Sequence, residues 1–398
     1  MFNILKNLKK LLDYTIMLPL YWLSYIIPKD EKLWIFGSWF GERYADNSKY
    51  LFEYVNKYHP EIKAVWLTSN KKVYKYLKSK GYKVFFKNSL AGFWFSLRAK
   101  VAIVCQSKKS DLYPFINDKK TFIVQLWHGI PLKKIGYDDT IFSYKNKSKI
   151  RKYLINLFFP FLKEKYSLFI ATSMETKKLF SKAFKLDISK VKITGYPRND
   201  VLFSKKGISK KSYKKIIYLP TFRKNIGSKI DLFKPYGFNT KKIDKFLEKL
   251  KAKLFIKLHP VNNPDKDILE ELRKCKNIIF LNNDIDLYEI LGNFDILITD
   301  YSSVYFDYLL LDKPIIFAPF DIEEYTKKDR EFYYEYDEVT PGPKAKSWDE
   351  VLIYIMEAIK NPEKYKEERE KIRNIFHKYK DERSSERVFK EIVKLLNW

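Results

Sequence analysis

The chain has 398 residues, a length that fits two domains, and its 46% apolar and 17% aromatic content excludes a disordered polypeptide. A net charge of +29, from 77 Lys and Arg against 48 Asp and Glu, calls for a polyanion (nucleic acid, anionic lipid or a phosphate-rich substrate) unless it reflects lysine-rich usage alone. Two separated cysteines and four histidines exclude a disulfide framework, a zinc knuckle and a His-rich metal site.

Residues 11–27 read LLDYTIMLPLYWLSYII, behind Lys6, Lys9 and Lys10. The run is shorter than the roughly 20 residues that span a bilayer. It holds Asp13 and Pro19, and no small-residue cleavage site follows. An amphipathic helix lying at a membrane interface is expected, its apolar face in lipid and its lysines on headgroups. The plainer reading is a helix packed on the protein's own core.

Short apolar runs then recur, each followed by a longer stretch of helical character. They are Leu33–Gly37, Ala64–Leu67, Tyr82–Phe86, Val101–Cys105, Phe122–Leu126 and Leu168–Ala171 in the first half. Ile216–Leu219, Leu254–Leu258, Ile278–Leu281, Ile296–Thr299 and Ile315–Ala318 follow in the second. Continuous apolar runs predict strands buried on both faces, and their alternation with helices predicts parallel sheets in an α/β fold. The turn signal GYPRND and the Lys- and Ser-rich stretch 204–215 mark a boundary between two Rossmann-like halves. From about residue 362 the chain is helical and densely charged at i,i+4 spacing, which predicts exposed, solvated helices.

Ligands of open parallel sheets bind beyond the carboxyl ends of the strands. Unusual residues sit there. QLWHGIPLKK ends a strand in His128, a side chain suited to general-base work. Gly129 lets backbone approach a ligand, and Lys133 and Lys134 favour a phosphate. KLHP ends another strand in His259, in the other half. In ITDYSSV, Thr299 and Asp300 close a strand, and Ser302 and Ser303 open a helix whose free N–H groups suit phosphate, although ordinary capping explains them equally. Arg223 in LPTFR follows a strand and is able to fork onto a phosphate. Arg198 in GYPRND reads better as a structural residue. P-loop, dinucleotide-fingerprint, HExxH and GxSxG patterns are all missing from the sequence.

Taken in order, WHGIPLKKIGYD (127–138), TGYPRND (194–200), YLPTFR (218–223), KLHP (257–260) and DLYEILGNFDILITDYSSVYFDYLLLDKPIIFAPFD (286–321) resemble the CDP-glycerol glycerophosphotransferase family of teichoic-acid synthesis. WFGERYADNSKYLFEYV (39–55) is similar to an early segment of that family. The resemblance covers about residues 33–345. It implies a GT-B architecture, two Rossmann-like domains facing across a cleft. It also implies transfer of glycerol phosphate from CDP-glycerol to a hydroxyl of a lipid-linked acceptor, with release of CMP and no metal or cofactor.

The implied division is a membrane-associating segment 1–30, an acceptor domain 31–205, a CDP-glycerol-binding domain 206–375 and a C-terminal helix 376–398. His128 is the expected general base, and His259 the contact to the diphosphate. Gly129, Lys133, Arg223, Thr299, Asp300, Ser302 and Ser303 are the expected binding residues. Of Arg223 and Lys257, Arg223 is the expected main source of extra positive charge. The compact length resembles the primases, which add the first one or two glycerol phosphates to an undecaprenyl-diphosphate-linked disaccharide at the cytoplasmic face of the membrane. Poly(glycerol phosphate) and ribitol-phosphate polymerases and a GT-B sugar transferase are the alternatives. A nucleic-acid partner is not expected, since no RNA- or DNA-binding signature accompanies the charge.

Overall fold

The computed structural model describes residues 15–139, 157–204, 213–223, 232–259, 266–328 and 331–398. The apolar runs of the first half form β1 (Asp30–Phe36), β2 (Lys63–Thr68), β3 (Val84–Phe86), β4 (Ala99–Val104), β5 (Phe122–Gln125) and β6 (Leu168–Ala171). With β7 (Val191–Ile193) they make one sheet of order β3-β2-β1-β4-β5-β6-β7, and every pair in it is parallel. The second half forms β8 (Lys214–Leu219), β9 (Ala252–Ile256), β10 (Ile278–Phe280), β11 (Ile296–Thr299) and β12 (Ile315–Phe317). Their order is β10-β9-β8-β11-β12, again all parallel. The β7 strand was not among the expected runs. It has three residues with Lys192 at its centre, too short and too polar to register as an apolar run.

Alternate residues of each strand feed different cores. Trp34 and Phe36 of β1 enter the layer that continues onto the second sheet. Leu33 and Ile35 enter the layer on the opposite face. All four are essentially inaccessible, as a strand covered on both faces requires. A third cluster, with Trp348 at its centre, backs the far face of the second sheet.

In each sheet the strand order reverses direction beside the first strand, at β1/β4 and at β8/β11. Crevices open at such points because neighbouring connections leave to opposite faces.

The charged C-terminal region departs from the expectation of solvated helices. Helices Lys366–Phe376 and Ser384–Leu396 form, but each buries a stripe: Arg369, Ile372 and Phe376 on the first, Val388, Phe389 and Ile392 on the second. The last helix returns to the first sheet. Its Phe389 ring lies 5.5 Å from Trp34 and stacks on His59 at 3.5 Å. Asp200 accepts the amides of Ser384 and Ser385, both at 2.8 Å, and so caps this helix from a remote part of the chain. The i,i+4 charge pattern reports only the outer face, and the apolar stripe beneath it closes the first layer.

At the other terminus, residues 15–26 form a helix, while the basic flank Lys6, Lys9 and Lys10 lies outside the described residues. Tyr21 and Ser24 are buried, and the Tyr21 ring meets Phe161 at 5.8 Å. Ile16, Trp22, Leu23 and Ile26 remain exposed. Among the described residues no helix is long and apolar enough to cross a membrane.

Phe389→Ala is expected to destabilise the fold by about 3–5 kcal/mol, the usual cost of truncating a buried aromatic ring. Urea unfolding followed by tryptophan fluorescence measures it. A change within about 0.5 kcal/mol, as at an ordinary surface site, would show that the last helix is not part of the first layer.

Candidate active site

The two reversal points face one another across a cleft of about 200 Å³. From the first sheet it is lined by Trp39 and Arg43 after β1, His128 after β5, and Asp46 and Arg198. From the second come Pro220 after β8, Lys257 and His259 after β9, and Ser302 and Ser303 after β11.

His128 is held by its neighbours' backbone. Its Nδ1 lies 3.0 Å from the carbonyl oxygen of Cys105, just past β4. A carbonyl only accepts, so Nδ1 carries the proton, and in the neutral ring Nε2 is the nitrogen with a lone pair. The preceding Trp127 has a left-handed backbone (φ 54°), rare for a bulky residue and a mark of local strain. Buried groups sustain it. Asn47 donates to the carbonyls of Leu126 and Trp127 at 3.1 and 2.9 Å, and Gln125 Oε1 accepts the Trp127 amide at 2.9 Å. Gly129 has φ 145°, and a Cβ there would come within 2.7 Å of Ser303 Oγ. Glycine is required because the two halves of the site meet at this point.

The next residues are clasped from the far side of the molecule. Lys134 donates its amide to Glu331 O (2.8 Å), and Leu132 O accepts the Tyr333 amide (2.9 Å). The Lys133 ammonium sits 4.8 Å from the centre of the Tyr325 ring.

On the second sheet, His259 packs against Phe222 and Trp39, with ring centres 5.0 and 6.0 Å away. Burial, then the positive charges of Arg43 and Lys133, push its pKa down to about 4. Burial, with Arg43 nearby, brings the Lys257 ammonium down to about 8, and it donates to Asn282 O at 2.9 Å. The cleft therefore gathers cationic groups around a neutral imidazole.

The structure brings His128, His259, Ser302 and Ser303 together, with Gly129 against Ser303. It sets three other expected residues behind the wall. Thr299 is fully buried and donates its hydroxyl to Leu219 O. Asp300 is fully buried and accepts the amides of Thr221 and Tyr301 and the Arg223 guanidinium. Arg223 forks onto Asp321 through Nε (2.7 Å) and Nη2 (2.8 Å). Arg223 thus braces the strand ends, whereas Lys257 lines the cleft. Lys133 stands beside the lining, close enough for its charge to bear on His259.

Sequence reasoning missed Arg43 and Asp46, although both fall within the early segment WFGERYADNSKYLFEYV. Arg198, read as structural, joins the two halves. Its Nη1 donates to Asp46 (2.8 Å) and to the His128 carbonyl (2.9 Å), and its Nη2 to Asp307 (2.6 Å). No group of three His, Cys, Asp or Glu side chains is arranged for a metal ion among the described residues.

Residues 19–394 match the model of the CDP-Glycerol:Poly(glycerophosphate) glycerophosphotransferase family. The chain belongs to this family. It is 30% identical over 371 residues to a teichoic acid poly(glycerol phosphate) polymerase of Bacillus spizizenii, with 86% of each chain covered. Against a teichoic acid glycerol-phosphate transferase of Staphylococcus aureus it is 29% identical, covering 98% of this chain and 100% of the other. A teichoic acid glycerol-phosphate primase of Bacillus subtilis is 30% identical over 70% of each. Among solved structures, the wall teichoic acid polymerase TagF superposes with a TM-score of 0.75 over 93% of this chain and 90% of that one, at 24% identity. Compact length does not separate primase from polymerase, because 86% of the Bacillus spizizenii polymerase is covered, against 70% of the Bacillus subtilis primase. This glycerophosphotransferase thus carries the two-sheet fold that its motifs imply.

Arg198→Met is expected to lose about 3–5 kcal/mol of stability, since it leaves Asp46 and Asp307 buried without their cation. Chemical denaturation checks this. Transferase activity should fall with it even below the unfolding midpoint, because the His128 carbonyl loses its tether.

Proposed function

We propose that the protein transfers glycerol phosphate from CDP-glycerol to a hydroxyl of a lipid-linked teichoic-acid acceptor, adding the first unit or units. The observation that carries this reading is the pairing of His128, whose Nδ1 donates to the Cys105 carbonyl and so leaves the ring lone pair on Nε2, with Lys257, His259 and Arg43 in one cleft. The family membership and a TagF structure soaked with CDPG support the donor.

In this reading the domain of 31–205 takes the acceptor and that of 206–375 the nucleotide. His128 Nε2 accepts the proton of the attacking hydroxyl. The hydroxyl oxygen bonds to the β-phosphorus, the bond from that phosphorus to the bridging oxygen breaks, and CMP leaves with the electron pair. His259 and Lys257 meet the diphosphate, with Ser302 and Ser303 donating to phosphate oxygens. Phosphoryl transfer needs positioning and charge neutralisation more than covalent help, and a cleft lined by Arg43, Lys257 and the two serines supplies both. Thr299, Asp300 and Arg223 hold the strand ends that carry these groups, and Lys133 adds charge from the rim.

The exposed apolar residues Ile16, Trp22, Leu23 and Ile26 support a peripheral docking of helix 15–26 on an anionic membrane, at the cytoplasmic face where a lipid-linked acceptor and CDP-glycerol meet. Leu157 and Phe158, also exposed, lie next to Phe159, whose ring contacts the Phe161 that packs on this helix.

The assay is CMP release and product mass with CDP-glycerol and a short-chain lipid-diphosphate disaccharide. His128→Asn is expected to reduce kcat by about 10²–10⁴-fold, the range for a general base. A single addition supports a primase, a ladder makes the protein a polymerase, and turnover of CDP-ribitol or a nucleotide sugar in place of CDP-glycerol overturns the donor.

Donor binding also has a proton signature. A bound diphosphate raises the pKa of both His259 and Lys257 above their values of about 4 and about 8. The complex then holds more protons than the free protein, so affinity falls as pH rises above about 8. Calorimetry at pH 8 in buffers of different ionisation enthalpy should detect net proton uptake. Zero exchange would remove the diphosphate from these two residues.

A further inference from the structure

Asp111 lies at the end of the short helix Lys108–Asp111 that follows β4, fully buried and outside the cleft lining. Its carboxylate accepts three backbone amides. Oδ2 takes those of Cys105 (2.8 Å) and Gln106 (2.7 Å), and Oδ1 takes that of Phe40 (3.1 Å). The Gln106 N–H belongs to the same peptide group as the Cys105 carbonyl, which accepts His128 Nδ1–H at 3.0 Å. A trans peptide points its N–H and C=O to opposite sides, and the described chain has no cis peptide bond. Asp111 and His128 therefore grip opposite edges of one amide.

We propose that Asp111 is a positioning residue for His128, acting through the Cys105–Gln106 peptide. This rests on the reading of His128 as the base. A negative charge at the N–H edge draws that proton and shifts electron density to the carbonyl oxygen, because hydrogen bonds in a chain polarise one another. The carbonyl then binds Nδ1–H more strongly. The tautomer with its lone pair on Nε2 is favoured, and so is the imidazolium that forms when the acceptor proton arrives. An aspartate next to the imidazole would do the same directly; here one peptide group stands between them.

Three amide donors and a cation offset part of the cost of burying this carboxylate. Burial raises the Asp111 pKa to about 6, below neutral pH, with its three amide donors and Lys87 pulling the other way. Lys87, buried at the end of β3, ties its ammonium to the neighbouring Ser110 carbonyl at 2.8 Å. The other tie of Asp111 reaches the loop after β1, where Trp39, Phe40 and Gly41 are successively left-handed (φ 47°, 61° and 81°). Trp39 lines the cleft beside His259. One carboxylate thus steadies a wall residue and the peptide that orients the base.

The experiment uses the full chain labelled with ¹⁵N-histidine, with His128 assigned by its loss in His128→Asn. The wild-type protein should show His128 protonated on Nδ1 at neutral pH, and an Nε2–H tautomer overturns the proposal whatever the variants do. In Asp111→Asn, whose amide cannot serve three donors, the His128 signals should shift toward a tautomer mixture. Its kcat should fall about 10- to 100-fold, as when the partner behind an oriented imidazole is removed, with KM for CDP-glycerol within about threefold. Unchanged His128 signals and kcat in a folded Asp111→Asn protein overturn the proposal, as does a change confined to KM. Activity retained in His128→Asn would overturn the base assignment instead, which keeps the two failures apart. Should Asp111→Asn fail to fold, Lys87→Met, which leaves Asp111 in place but removes a cation that lowers its pKa, should shift the His128 signals toward the tautomer mixture at neutral pH; signals identical to wild type overturn the proposal.

Discussion

The buried guanidinium of Arg198 is the interaction on which the rest of this molecule depends. It joins Asp46, on the helix that follows β1, to Asp307, on the helix that follows β11. Tyr288 and Asn199 complete the hydrogen bonding of Asp307, and the Tyr288 ring lies 4.5 Å below the guanidinium. A cation taken out of water is tolerable only with such partners, and once they are present neither side can move away without stranding a charge. The same arginine donates to the His128 carbonyl. Closure of the two halves and the placing of His128 are therefore one event. Lys49, bridging Asp286 and Glu289 from the Asp46–Tyr58 helix, ties the same two halves a short way along.

That closure creates the electrostatics of the cleft. Arg43 belongs to the first half and His259 and Lys257 to the second. Burial, and then the charge of Arg43, depress the affinity of His259 and Lys257 for protons. Such a site is under tension until an anion enters, and a diphosphate relieves it by compensating the accumulated charge. In the proposed reaction, binding energy from a non-reacting part of the donor aligns the β-phosphorus with the hydroxyl.

The strained backbone tells the same story. Left-handed residues at Trp39, Phe40, Asp46 and Trp127 all border the cleft or its support. Each is held by a buried polar group: Asp111 for Phe40, Asn47 for the Trp127 carbonyl, Asp46 for the Trp39 indole and Arg198 for Asp46 itself. Strain of this kind persists only where the surrounding structure over-determines it. Here the determining groups are the first layer's own hydrogen bonds, completed by a C-terminal helix that returns to it.

Much of this was legible in the chain itself. Eleven of the strands stand out as apolar runs, because a strand covered on both faces has no polar alternation to hide it. His128, His259, Ser302 and Ser303 stand out because they follow such runs directly, and parallel sheets put strand ends on the ligand side. Local pattern was silent on everything that depends on which strand neighbours which. Arg223 reads as a free phosphate fork until β8 and β11 pair and set Asp300 against it. Arg198 reads as a turn residue until Asp46 and Asp307 arrive from either side. Asp111 reads as a helix end until its carboxylate meets the peptide behind His128. The sequence by itself determined the strands, the two halves and several side chains that line the cleft, since those follow from hydrophobicity and chain direction. Only the tertiary structure decided which charges are spent on bracing and which face the cleft, because an ion pair is a property of two positions in space.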